Sequence, residues 1–181
     1  AYWSSTYLFH NGQNPYDPEL MGVTQNTQLQ AGLDYVIMSW NPPSLFVFLL
    51  PLAWLPYTTA KFVWLTVNLI IVLGTNLMLA KLYLPTGNTR LTLTFLVFAT
   101  IFPQVVSGIF MGQITFLVFF GVVACMALIK KEQWFWAGVI LILTTIKPHI
   151  ANLSVIYLLI YMAQNRQYQG WAGLAIAGIT C

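Results

Sequence analysis

Charged residues are scarce in this chain of 181 residues. Only 6% of them are charged, with 4 acidic and 7 basic side chains, whereas a soluble domain carries roughly 25%. The net charge of +3 is small and spread along the chain, which excludes the basic patch of a nucleic-acid-binding protein. Hydrophobic residues make up 59% of the sequence. The composition therefore predicts a membrane protein in which the bilayer replaces a soluble core.

Cysteine is also scarce, and its 2 copies exclude a disulfide framework. Cys125 lies inside an apolar run, and Cys181 is the last residue, so neither position indicates a structural pair. The two histidines, His10 and His149, have no cysteine or carboxylate at the spacing of metal ligands. We therefore predict no metal site and no cofactor.

Both ends of the sequence lack features of a complete membrane protein. No initiator Met and no signal-like stretch precede Ala1. The last apolar run, from residue 170, has about a dozen residues, where a membrane span needs about 20. We therefore expect both ends to be cuts inside a longer protein.

Apolar runs alternate with short polar connectors through most of the chain. Residues 1–43 are interpreted as an extracytoplasmic loop region and residues 44–181 as a transmembrane helix bundle, together one incomplete domain. The predicted apolar runs are 57–80, 91–107 and 113–129, which are long enough to span, and the shorter 134–146, 149–163 and 170 onward. The predicted fold class is all-α, a polytopic integral membrane protein.

The run 44–56, SLFVFLLPLAWLP, is too short to cross a bilayer. Pro51 interrupts it and Pro56 stops it, because proline removes a backbone donor from a helix. A broken segment at membrane depth needs protein or water to satisfy its backbone. We therefore predict a re-entrant or interfacial segment.

Lysines and arginines predict the orientation of the chain. If the first loop lies outside, five of the seven basic residues fall on the cytoplasmic side: Lys81, Arg90, Lys130, Lys131 and Arg166. Three of the four acidic residues then lie outside: Asp17, Glu19 and Asp34. This is the positive-inside bias of membrane proteins, and it predicts a multi-pass protein of the inner cell membrane.

Two readings remain open for a polar stripe in the run 57–80. Lys61, Asn68 and Thr75 are spaced by seven residues and therefore share one face of a helix. Hydrogen bonding to a neighbouring helix explains such a stripe. The alternative places Lys61 at the rim of a cavity.

A charged corner interrupts the apolar sequence LTTIKPHI, residues 143–150. Pro148 predicts that one helix ends near Ile146 and that another begins with the proline at its first position. The amides of the next three residues, from His149 on, would then be unpaired beside the ammonium group of Lys147. This combination favours an anion.

The depth of the corner follows from the length of the helix before it. Residues 134–146 rise only about 20 Å, against roughly 30 Å of hydrocarbon. We expect Lys147 at the floor of a cavity that opens outside, with Thr144 and Thr145 satisfying nearby carbonyls. The alternative is that Lys147 extends to the lipid headgroups.

The first segment combines aromatic residues with a turn. Residues 2–10 are predicted as a short helix closed by Gly12, followed by an Asn-Pro turn leading to Asp17. The aromatic residues of this segment fit an interfacial belt or a flat surface for a sugar ring: Tyr2, Trp3, Tyr7, Phe9 and Tyr16. Asp17 fits an aspartate that caps its own turn better than a catalytic base.

Five short motifs occur in an order that resembles a known family. They are Tyr2-Trp3, NGQNPYD at 11–17, WNPP at 40–43 with PLAWLP at 51–56, MGQ at 111–113 and IKP at 146–148. The chain resembles glycosyltransferase family 87, which includes bacterial α-mannosyltransferases that use polyprenyl-phosphate-mannose. The resemblance extends over essentially the whole chain and implies the GT-C membrane fold.

The resemblance also implies an activity. Such an enzyme transfers a hexose, here mannose, from a polyprenyl-phosphate donor to a glycolipid or glycan acceptor on the extracytoplasmic side. A cation for the departing phosphate and a carboxylate base for the acceptor are needed. The expected donor-phosphate residues are Lys147, His149 and Gln113, and the expected sugar or acceptor contacts are Tyr2, Trp3, Tyr16 and Asn41. The base is expected to be an aspartate before Ala1, with Asp17 as the remaining candidate.

A second hypothesis is a membrane carrier or binding subunit for lipid-linked sugars that performs no transfer. A carrier is expected to contain two repeats with matching broken helices. No internal repeat is visible in the sequence, which favours the enzyme.

Overall fold

The computed structural model describes residues 1–29, 32 and 34–180, and its regular elements there are all helices. The α-helices are α1 Tyr2–His10, α2 Pro18–Gln28, α3 Pro43–Ala53, α4 Tyr57–Tyr83, α5 Thr89–Ile101, α6 Pro103–Phe110, α7 Thr115–Lys130, α8 Trp134–Ile140, α9 Pro148–Gln164 and α10 Tyr168–Thr180. A 3₁₀ helix, Leu141–Ile146, follows α8 directly. The all-α prediction is confirmed, while Cys181 lies outside the described residues.

The chain divides into two compact units, Ala1–Trp64 and Leu65–Cys181, with the division inside α4. In the first unit α1 packs against α3 and α2. In the second unit α8 packs against α10 and α7. One buried hydrophobic cluster of this second unit contains Cys125, Ala137, Leu141, Leu158 and Met162.

The first segment contains two helices where the sequence predicted one. Helix α1 has the predicted bounds, and Gly12 closes it with a left-handed φ of 69°. Helix α2 was missed because PELMGVTQNTQ is polar and shows no clear apolar period. Burial of Met21, Thr24 and Gln25 holds it in place. The interpretation of residues 1–43 as a loop with a single short helix is therefore wrong in its helix count.

Pro51 does not interrupt the short apolar run, contrary to the prediction. Helix α3 includes this proline and ends two residues later, at Ala53. Because Pro51 lies in the last turn, its missing amide removes one hydrogen bond without splitting the helix. The 11 residues of α3 rise about 16 Å, so the segment is still too short to cross.

The three predicted membrane spans differ in length and straightness in the structure. Helix α4, with 27 residues, is long and apolar enough to cross a membrane. The predicted span 91–107 is bent by 53° between α5 and α6, because Pro103 forces Phe102 out of helical geometry. Helix α7 has 16 residues and rises about 24 Å, less than the hydrocarbon thickness. The described residues thus contain one candidate span, or two if the bent pair counts as one.

The polar stripe of α4 bonds differently from the prediction. Asn68 and Thr75 are buried and Lys61 is exposed. The hydroxyl of Thr75 donates to the Ile71 carbonyl of its own helix at 2.7 Å. The bond between helices comes from the neighbouring Asn76, whose amide lies 3.4 Å from the Thr100 hydroxyl on α5.

Candidate functional site

The backbone turns at Lys147 as the sequence predicted. The 3₁₀ helix ends at Ile146, Lys147 leaves helical geometry with φ −137° and ψ 75°, and α9 begins with Pro148 at its first position. The switch from α8 to 3₁₀ geometry was not predicted, and it lengthens the 13 residues to about 22 Å. The corner therefore still follows a helical segment shorter than the bilayer core.

Two threonines complete the end of the 3₁₀ helix. The Thr144 hydroxyl donates to the Leu141 carbonyl at 2.5 Å, and the Thr145 hydroxyl donates to the Ile142 carbonyl at 2.7 Å. Both bonds satisfy carbonyls near the turn, as the sequence predicted. They fix the backbone immediately before Lys147.

The side chain of Lys147 is half-buried and faces the start of α7. Its Nζ lies 3.1 Å from Oε1 of Gln113 and 3.4 Å from Oγ1 of Thr115. Both oxygens are neutral acceptors, so they orient the ammonium group without cancelling its charge. The predicted pair of Lys147 and Gln113 is therefore brought together, and Thr115 joins it.

The position of Gln113 depends on a glycine turn. Helix α6 ends at Phe110, and Gly112 adopts a left-handed φ of 66°. The amide of Gln113 then donates to the Gly108 carbonyl at 2.9 Å, which closes the helix as in a Schellman turn. The residue after Gln113, Ile114, is fully buried and anchors the end of this turn. The MGQ motif thus places an amide side chain beside Lys147.

An open groove of about 440 Å³ begins at the same glutamine. Its lining residues are Pro103, Gln104, Ser107, Gly108, Met111 and Gln113. The polar members are uncharged amides and a hydroxyl, which suit the hydroxyl groups of a sugar. Gln113 therefore connects the ammonium group of Lys147 with a polar groove.

His149 and the following amides match the prediction only in part. His149 is exposed in the first turn of α9. The amide of Ile150 donates to the Lys147 carbonyl at 3.1 Å, so it is not unpaired as expected. The bond arises because the first turn closes with an i to i−3 hydrogen bond at the helix start. The positive end of the helix remains, with one amide fewer for a ligand.

In the first unit, Trp3 has a structural role that the sequence did not indicate. Its indole N–H lies 3.1 Å from the Leu52 carbonyl and 3.3 Å from the Leu55 carbonyl. These carbonyls lie at the end of α3, where intrahelical donors run out. The ring also stacks on Tyr7 at 5.0 Å. The indole donor of Trp3 is therefore used inside the protein, while its role as a sugar contact stays a prediction.

Three other predicted sugar contacts also belong to the first unit. The Tyr16 hydroxyl donates to the carbonyl of buried Asn41 at 2.6 Å. Partial burial raises the pKa of the Tyr16 hydroxyl. Tyr2 is half-buried at the start of α1. Tyr16 and Asn41 thus shape the segment before α3, and their contact with sugar stays a prediction.

Asp17 is the N-cap of α2. Its Oδ1 accepts hydrogen bonds from the amides of Glu19 at 2.9 Å and Leu20 at 3.2 Å. These bonds support the interpretation of Asp17 as a capping residue. Its use as a base stays a prediction that no contact in the structure favours.

Thr115, two residues after Gln113, was not predicted as a member of the site. A threonine at the start of a helix normally indicates a cap, but here its hydroxyl lies within reach of a lysine 32 positions away. The useful signal was the hydrophilic pair Gln113 and Thr115 on either side of an isoleucine. Among the described residues, no group of three metal-ligating side chains comes together.

Fold and site together define an all-α chain with a membrane-length apolar helix and a cationic corner next to a polar groove. Residues 40–181 match the model of glycosyltransferase family 87, and the chain belongs to this family. No curated protein and no solved structure matches the chain. The resemblance predicted from the ordered motifs is confirmed over residues 40–181, which include both MGQ and IKP, while Tyr2-Trp3 and NGQNPYD at 11–17 lie outside the match.

Proposed function

We propose that the chain forms the donor-binding part of an integral membrane glycosyltransferase. The enzyme transfers a hexose, which we propose is mannose, from a polyprenyl-phosphate donor to a glycolipid or glycan acceptor on the extracytoplasmic side. One observation carries the proposal: Nζ of Lys147, held 3.1 Å from Gln113, lies beside a polar groove at the start of α9. Membership of the family supplies the class of reaction.

The chemistry requires a cation where the donor bond breaks. As the bond between the anomeric carbon and the phosphate oxygen breaks, its electron pair stays on the phosphate, which leaves with added negative charge. The ammonium group of Lys147 and the positive end of α9 both stabilise that charge. The acceptor hydroxyl attacks the anomeric carbon and loses its proton to a carboxylate.

The distribution of lysines in the second unit supports the proposed orientation. Nζ of Lys130, at the end of α7, lies 2.6 Å from the Leu82 carbonyl at the end of α4. Gln113 and Lys147 lie at the opposite end of α7, a helix that rises about 24 Å. Lys130 therefore fits the cytoplasmic side of a multi-pass protein, and Lys147 fits the side where transfer occurs.

The proposal is tested by replacing Lys147 with glutamine in the protein expressed from its complete gene. In membranes supplied with the polyprenyl-phosphate sugar, we expect Lys147→Gln to lower the rate of transfer about 100-fold, as for the loss of one group that stabilises the developing charge. Lys131→Gln removes an exposed lysine at the other end of α7 and is the matched control. Transfer by Lys147→Gln at the wild-type rate would remove Lys147 from the site.

A further inference from the structure

A second groove, of about 250 Å³, lies where α4 passes into α5. Its lining residues are Leu77, Ala80, Lys81, Leu84, Pro85, Thr86, Gly87 and Thr92. Its wall is apolar except for one ammonium group and two hydroxyls. We propose that this groove binds the headgroup of an anionic phospholipid, with the phosphate on Lys81 and the glycerol and upper acyl chain on the leucine side chains.

The turn that forms one wall is fixed by backbone constraints. Gly87 has a left-handed φ of 88°, which a glycine adopts without strain. The Asn88 side chain then caps α5 by accepting from the Leu91 amide at 3.0 Å. The Thr92 hydroxyl donates to the Asn88 carbonyl at 3.2 Å. Thr86, which is exposed, therefore lies in a fixed turn and places a hydroxyl on the groove wall.

The length of α4 places this groove at the height of lipid headgroups. Its 27 residues rise about 40 Å, more than the roughly 30 Å of hydrocarbon. Lys81 and Tyr83 occupy its last turn, and these residue types are typical of the membrane interface. A phosphate bound to Lys81 therefore most readily belongs to a lipid already lying in the bilayer, rather than to a soluble molecule.

A neighbouring lysine strengthens the positive potential of the groove. Nζ of Lys130 lies 4.9 Å from the centre of the Tyr83 ring and 2.6 Å from the Leu82 carbonyl. These contacts hold a second cation next to the end of α4 while leaving Lys81 on the groove wall. Zwitterionic headgroups gain little from such a potential, whereas anionic headgroups are attracted by each nearby lysine.

This lipid site is separate from the proposed donor site. Lys147 and Gln113 lie at the start of α7, and Lys130 lies at its end. Failure of the lipid proposal therefore leaves the proposed transferase unaffected, and the reverse also holds. The occupant of the groove is a structural or regulatory lipid, not the sugar donor.

The experiment measures lipid retention by the purified full-length protein in detergent with native mass spectrometry. The protein is titrated with phosphatidylglycerol or with phosphatidylcholine of the same acyl chains. We expect preferential retention of one phosphatidylglycerol, and we expect Lys81→Gln to weaken its binding about five-fold. Lys131→Gln removes the same charge from an exposed residue that does not line the groove, and its binding should change by less than about two-fold.

Lys81→Arg keeps the charge and is expected to retain the lipid preference, which separates loss of charge from loss of folding. Equal retention of both lipids by the wild-type protein would overturn the proposal. Equal weakening by Lys81→Gln and Lys131→Gln would also overturn it, because the attraction would then be a general effect of charge. Displacement of the lipid by soluble glycerol phosphate would identify a soluble phosphate site and contradict the assignment to a lipid.

Discussion

Two corners of this chain follow short apolar helical segments and contain a proline, Pro56 in the first corner and Pro148 in the second. They differ in which groups bind the backbone carbonyls and in whether a charged side chain is present. At the first corner, after α3, the carbonyls of Leu52 and Leu55 accept from the indole of Trp3. At the second corner, before α9, threonine hydroxyls satisfy the carbonyls, and Lys147 extends to Gln113. The first corner is closed by an internal aromatic donor, whereas the second presents a cation next to a groove.

A helix break alone therefore does not define a site. Both corners have backbone carbonyls near a helix end that need hydrogen-bond partners. In the first corner one side chain supplies the partner and no charge is present between residues 35 and 60. In the second corner threonine hydroxyls satisfy nearby carbonyls, and the ammonium group of Lys147 lies beside the neutral oxygens of Gln113 and Thr115.

The largest effect is expected from Gly138→Ala, in the helix that leads to the charged corner. A Cβ at Gly138 would overlap the backbone carbonyl oxygen of Gly170, and backbone atoms cannot move aside without separating α8 from α10. We expect little folded protein, measured as the monodisperse fraction after detergent extraction. Gly178→Ala is the control, because its Cβ would meet only Ile142 at 4.0 Å. A normal yield of folded Gly138→Ala would contradict the packing of α8 on α10.

The next effect concerns Gln113, the partner of Lys147. Gln113→Glu places a carboxylate at the oxygen that lies 3.1 Å from Nζ, and an ion pair there competes with the donor phosphate. Because charged hydrogen bonds contribute about 1.5–3 kcal/mol, we expect kcat/KM to fall about 10- to 100-fold. Gln113→Leu removes the bond to Lys147 without adding a competing charge and should cost less, about five-fold. A smaller loss in Gln113→Glu than in Gln113→Leu would argue against an anion at this corner.

A smaller effect is expected at the first corner. Trp3→Phe keeps an aromatic ring but removes the donor to the α3 carbonyls, which costs about 1 kcal/mol and lowers the melting temperature by about 2–4 °C. Trp54→Phe, at an exposed tryptophan of the same unit, is the control. Loss of transfer without any change in melting temperature would instead identify Trp3 as a sugar contact.

The smallest effect is expected at Asp17. Asparagine caps a helix about as well as aspartate, so Asp17→Asn should retain both the melting temperature and the transfer rate. Asp17→Ala removes the bonds to Glu19 and Leu20 and should lower stability by about 1 kcal/mol. If Asp17→Asn folds normally but does not transfer sugar, the reaction requires the carboxylate, and Asp17 is then identified as the base.

Local chemistry made some parts of the structure predictable. Pro148 set the start of α9 and Gly12 closed α1, because proline and glycine restrict the backbone wherever they occur. Helix α2 was not predictable from an apolar period, since tertiary burial of a few residues stabilises it. Pro103 causes the bend at Phe102, but it lies inside the apolar run 91–107, which was predicted as one span.

Two residues of the candidate site, Lys147 and Gln113, were predictable from the sequence, but their contacts were not. Lys147 and Gln113 were both expected at the donor phosphate, but a distance of 3.1 Å depends on how α7 packs against the 3₁₀ helix. Thr115 and the groove of Gln104 and Ser107 required the structure. Sequence patterns indicate residue types and break points, while convergence of side chains depends on tertiary packing.

We propose that Lys147 binds the phosphate of the lipid donor. The most direct measurement is the dissociation constant of a polyprenyl-phosphate for the purified full-length protein, compared between wild type and Lys147→Gln. We predict at least about ten-fold weaker binding for the variant, as for the loss of a hydrogen bond to a charged group, with Lys131→Gln unchanged. Equal dissociation constants for the wild type and Lys147→Gln would contradict the account.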